Sequence, residues 1–200
     1  MSTAARQMRQ LSNRLVSNLR APAVDEDIIP LIGEALTHVR GRPVRLRQAA
    51  FPPMTASGLW VNRTSHDLIV YEENTDPEHQ LVIIGHESWH MFEGHCTTHQ
   101  GPFATRAARS ETAAALTDLA ATLSAEDDTD IPLSGRMDAA LHFAARTDTR
   151  KADEERAAEH FGLRFATDVQ TALLEVRTSA GPRDLARRLQ ASMAHRFRGI

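Results

Sequence analysis

The chain has 200 residues, a formal net charge of −3 and a single cysteine, Cys96. That length suffices for one sizeable core, and the near-balanced charge gives no strong pull toward nucleic acid or anionic lipid. One cysteine excludes an internal disulfide and fits a reducing compartment; with no apolar run of membrane-spanning length and no hydrophobic signal core at the amino terminus, a cytoplasmic protein is the expectation.

Residues Thr3 to Leu19 lack Gly and Pro and carry Met8, Leu11, Leu15 and Leu19 at helical spacing. A second helix is predicted from Asp25 to Val39 through Ile28, Ile29, Ile32 and Leu36, ending near Gly41; Pro30 in its early turns can move the start one turn later. The texture then changes to short apolar or alternating runs, Val44–Arg47, Gly58–Asn62 and Leu68–Tyr71. Turn-forming residues Arg63 to Asp67 join the last two, which predicts a small antiparallel sheet. Asp76 can cap the next helix with Pro77 at its first position, Thr75 with Glu78 offers a capping-box alternative, and Gly94 is a plausible stop.

Helical patterns follow over Arg106–Leu123, Met137–Arg146, Ala152–Val176 and Pro182–Phe197. The acidic run Glu126 to Asp130 lacks the spacing of a calcium loop and reads as a solvated turn. No repeat and no linker composition appears. The expectation is one α+β domain: a helical part over residues 1–40, sheet and motif helix over 41–96, and a helical second half over 97–200.

The helix that opens at Pro77 contains His86-Glu87-Ser88-Trp89-His90, a His-Glu-x-x-His motif directly after Leu81-Val82-Ile83-Ile84. On a helix His86 and His90 lie one turn apart on one face, so both imidazoles can reach one metal ion. Glu87 stands beside them, where its carboxylate can take a proton from water. At this chain's His and Glu content the pattern arises by chance only about 0.03 times per chain.

Two histidines bind zinc weakly, and a hydrolytic zinc site needs three protein ligands plus an open position. His95 and His99 follow the motif closely, but Glu93 and Cys96 stand where the metzincin pattern needs Gly and His, so both histidines read as loop residues. Glu111 on the next helix is a second source. The third is Glu154-Glu155-Arg156-Ala157-Ala158-Glu159-His160-Phe161-Gly162. In gluzincin-type sites a glutamate from a later helix completes a His₂Glu set, a small residue lets the helices approach, and an acidic group one turn on orients an imidazole. Glu155, Ala158 and Glu159 have that spacing. An ordinary solvated helix face with Glu–Arg pairs is the alternative.

The strand Leu68 to Tyr71, the Glu-Glu-Asn turn, the Pro-led helix into His86-Glu87-Ser88-Trp89-His90, and Glu155-x-x-Ala158-Glu159-x-Phe161 together resemble the ImmA/IrrE metallopeptidases, in particular members described as toxin components beside helix-turn-helix regulators. The resemblance covers roughly residues 40–175. It departs in a long stretch between the two motifs, in Glu159 where Asp or Asn is commoner, and in Gly162 where alanine is frequent. It implies His86, His90 and Glu155 as zinc ligands and Glu87 as general base. The implied activity is that of a zinc endopeptidase acting on a specific protein, such as a DNA-binding repressor, with no direct nucleic-acid or membrane binding. A zinc-binding interaction module that does not cut its partner is the competing expectation.

Tyr71, His66, His99 and His160 are chemically able to donate to a developing oxyanion. Tyr71 in a β-rich run is expected to pack, though its strand could receive an extended substrate at a sheet edge. Trp89 is expected in the core, Cys96 as an incidental thiol, and Arg183, Arg187, Arg188, Arg196 and Arg198 on a solvated helix face rather than against an acidic partner.

Overall fold

The computed structural model describes residues 3–23, 26–51, 56–93 and 149–179. Helix α1 spans Thr3–Ser17 and presents Leu11 and Leu15 to the core. Helix α2 spans Ile28–Arg40, so it starts three residues later than its apolar spacing suggests. Asp27 is the reason: its carboxylate accepts the Ile29 amide at 3.0 Å and caps the helix. Pro30 falls third in the helix, where an amide has no intrahelical partner to lose. Gly41 ends it with φ 75° and donates its amide to the Thr37 carbonyl at 3.0 Å.

Three strands follow: β1 (Val44–Ala49), β2 (Gly58–Asn62) and β3 (Asp67–Glu72). The order is β1-β3-β2, with β2 antiparallel and β1 parallel to β3. The small sheet of an α+β fold is therefore present, but it is mixed rather than antiparallel throughout. Composition explains the order. Every residue from Asp67 to Tyr71 is buried, and a strand covered on both faces takes the middle. One face, with Trp60, Ile69 and Tyr71, joins the core shared with the helices; the other gathers Leu59, Val61, Leu68 and Val70.

The buried Asp67 ties this framework together. Its carboxylate lies 3.0 Å from Arg40 Nε and 3.5 Å from Arg42 Nε, and accepts the Trp60 indole N–H at 3.0 Å. Helix α3 (Pro77–Glu93) begins at the proline, as the cap signal predicts, with the Asp76 carbonyl accepting the Gln80 amide. Gln80 Nε2 in turn donates to the Glu72 carbonyl at 3.2 Å, which ties the start of α3 to the end of β3. Gly94 lies outside the described residues.

Helix α4 (Thr149–Ser179) is three residues longer at each end than its apolar spacing predicts. It buries Ala158, Phe161, Phe165, Ala166 and Val169; full burial of each phenylalanine is worth roughly 2–3 kcal/mol. Ser12 on α1 donates to Asp168 at 2.6 Å and holds α1 against α4. Among the described residues no helix is long and apolar enough to cross a membrane. The predicted helices at Arg106–Leu123, Met137–Arg146 and Pro182–Phe197, with the arginines of the last, and the acidic run Glu126 to Asp130 all lie outside them.

Candidate metal centre

Helices α3 and α4 cross at two glycines. A Cβ on Gly162 would lie 2.5 Å from the Val82 carbonyl oxygen, and one on Gly85 would lie 2.9 Å from Gly162 Cα. Any side chain at either position would hold the helices apart. The fully buried Ala158, one turn earlier on α4, continues the narrow seam. Trp89 packs on Phe161 at 5.0 Å between ring centroids, so it serves the core as expected.

This close crossing brings Glu155 to the motif histidines. His86 Nε2 and His90 Nε2 are 3.1 Å apart. Glu155 spans them, Oε2 at 3.4 Å from His86 and Oε1 at 3.5 Å from His90. Zinc–nitrogen bonds of 2.0–2.1 Å at tetrahedral angles place neighbouring ligand atoms about 3.3 Å apart. The three groups therefore have the chemistry and the spacing to hold such an ion. His90 is buried, while the His86 and Glu155 side chains keep 22 % and 29 % of their surface, so the centre is open on one side.

Charge shapes each group. Burial opposes a charge on His86, but its contact with Glu155 and the charges of Glu87, Glu155 and Glu159 outweigh that and hold the imidazole above its ordinary value. Burial likewise opposes the Glu155 carboxylate, and contact with both histidines overcomes it, holding that carboxyl well below the usual range. Glu87 is different. Burial dominates and pushes its carboxyl up, although the two histidines and the Trp60 backbone amide pull the other way. Its Oε2 is buried without a hydrogen-bond partner among the described residues. A carboxylate with a raised pKa and a spare oxygen has the chemistry of a proton acceptor.

The other proposed residues separate. Glu159 is exposed and reaches the centre only through its charge on His86. His95, His99, Glu111 and Cys96 lie outside the described residues. Of the oxyanion candidates, His160 is exposed on α4. His66 sits in the β2–β3 turn with Ser65 Oγ 2.9 Å from its Nδ1, five residues or about 17 Å along the chain from Tyr71, the residue paired with Gly58. Tyr71 is buried with its phenol raised by burial and by the charge of Asp27 at the start of α2. Its strand is paired on both sides and offers no edge; β2 is the edge strand that meets α3.

Sequence reasoning passed over Gly58, whose role is spatial. A Cβ there would lie 2.7 Å from Glu87 Oε1. A glycine opening a strand carries no chemical signal, so nothing short of the packing reveals it. Set against family models, curated proteins and solved structures, the chain matches none of them.

Proposed function

We propose that this protein is a zinc-dependent endopeptidase whose metal is held by His86, His90 and Glu155, with Glu87 as general base. The observation that carries the reading is the convergence of two imidazole nitrogens 3.1 Å apart with a carboxylate at 3.4 and 3.5 Å, beside a buried glutamate with one unpartnered oxygen. A zinc ion held there would supply Lewis acidity toward water and a peptide carbonyl. Glu87, with Oε2 unpartnered, would accept a proton from the attacking water and return it to the departing amine. Glu159 adds negative charge one turn from Glu155 and favours a cation at His86. The resemblance to ImmA/IrrE peptidases supports a narrow protein substrate, such as a helix-turn-helix repressor, over general digestion.

The test compares new protein amino termini by mass spectrometry after a proteome from the source cells is incubated with zinc-loaded wild type or Glu87→Gln. A few termini seen only with wild type are expected. Identical profiles would favour a zinc-binding module that does not cut.

A further inference from the structure

Gly58 is a glycine without a conformational reason to be one. It lies in extended strand, and Gly41 alone among the described glycines has positive φ. In a strand glycine is disfavoured through chain entropy, and its usual meaning there is a bulge or a close approach by another group. Here the approaching groups are on α3. A Cβ at position 58 would lie 2.6 Å from Ile83 Cγ2, 2.7 Å from Glu87 Oε1 and 3.0 Å from Glu87 Cγ.

The strand supplies the other half of the seat. Glu72 donates to the Ser57 carbonyl and Arg63 to the His66 carbonyl. With the β2–β3 register, that phase makes positions 57, 59, 61 and 63 the ones bonded to β3 and turns the Trp60 amide outward. The outward Trp60 amide donates to Glu87. Asp67 secures this part of the strand through the Trp60 indole. Glu87 therefore rests on the edge of β2, one oxygen against the gap at Gly58 and Oε2 left over.

We propose that Gly58 is the positioning residue for Glu87: its missing side chain creates the space in which the base is held against the Trp60 amide, with its second oxygen toward the metal centre. This rests on the reading of Glu87 as the base. A side chain at 58 displaces the carboxylate without touching a metal ligand, so metal binding and base placement become separable.

The test uses the full zinc-loaded chain and acetohydroxamate, a zinc chelator whose hydroxyl proton needs a carboxylate within hydrogen-bond reach. Zinc stoichiometry and acetohydroxamate affinity are measured for wild type, Gly58→Ala, Glu87→Gln and the double variant. Gly33→Ala serves as control, because its Cβ meets nothing nearer than 3.6 Å. The expected result is one zinc per chain throughout. Affinity should fall about tenfold in Gly58→Ala and in Glu87→Gln, the scale of one charged hydrogen bond, with no further loss on combining them. Wild-type affinity in Gly58→Ala, or losses that multiply in the double variant, would overturn the proposal while leaving the zinc reading intact. No zinc in wild type, or no effect of Glu87→Gln, would overturn the underlying reading and the proposal with it. Should Gly58→Ala unfold, melting temperatures in an Ile83→Ala background, which clears the 2.6 Å contact, decide: there its cost should at least halve when Glu87→Ala is added, and an undiminished cost would overturn the proposal.

Discussion

Substituting alanine for Gly162 tests whether the helix crossing sets the ligand spacing. The added methyl would lie 2.5 Å from the Val82 carbonyl oxygen and 3.2 Å from the His86 amide nitrogen. Both are backbone atoms, so the helices must part by about 0.5 Å or more, since packed backbones yield only by moving whole elements. Overpacking of this kind costs about 1–3 kcal/mol, against which alanine in a helix interior returns about 1 kcal/mol. The net loss of about 0–2 kcal/mol lowers the melting temperature by up to about 8 °C in a chain of this size. The effect on metal should be larger. Glu155 lies two turns, about 10 Å, along the same helix, and zinc–ligand distances tolerate about 0.2 Å of error. Zinc affinity in Gly162→Ala should fall at least tenfold in chelator competition, with the metal-free protein still folded in thermal melts. Unchanged zinc affinity would refute the argument that this crossing places the third ligand.

Four further outcomes follow from the contacts described above. Glu155→Ala should weaken zinc binding by more than the ~10–100-fold that loss of an outer hydrogen-bond partner costs, read by the same competition; a smaller change would remove Glu155 from the ligand set. In the metal-free protein the raised His86 value contributes stability that is full below its unfolded pKa of 6.5 and lost as pH rises through the folded value. The depressed Glu155 value contributes stability present above 4.5 and lost as pH falls through the folded value. Wild type minus Glu155→Gln in urea melts should therefore be largest between 4.5 and 6.5, and a pH-independent difference would contradict the pairing. Zinc competes with the His86 proton, so zinc affinity should rise with pH up to the raised folded His86 value, above 6.5, and level off beyond it. Asp67→Asn removes a fully buried charge from Arg40 and Arg42; with both arginines partly solvated, a loss of about 3 kcal/mol is expected in urea titration, and one under about 1 kcal/mol would mean the cluster is dispensable.

What could be read from the sequence is what repeats locally. The apolar spacing of α1, the Asp76–Pro77 start of α3, and two histidines one turn apart are all properties of short stretches, and each is present. The approach of Glu155 to the histidines was expected from the motif's need for a partner, the Glu155, Ala158 and Glu159 spacing and the family resemblance, whereas the seam that delivers it depends on Gly85 meeting Gly162 across 77 residues of chain. The parallel pairing of β1 escaped because strand order follows from which strand is buried on both faces, not from the turn between β2 and β3. Gly162 illustrates the limit. In sequence it stands out only as a departure from a family's alanine; in the fold, its lack of a side chain is what lets α4 touch α3.

The most direct test of the central claim is elemental analysis of the purified, untagged chain, with zinc K-edge absorption on the same sample. Near one zinc per chain is expected, in a nitrogen- and oxygen-ligand environment containing two imidazoles, and lost in both His90→Ala and Glu155→Ala. Absence of metal in wild type after zinc reconstitution, or zinc retained undiminished in Glu155→Ala, would contradict it.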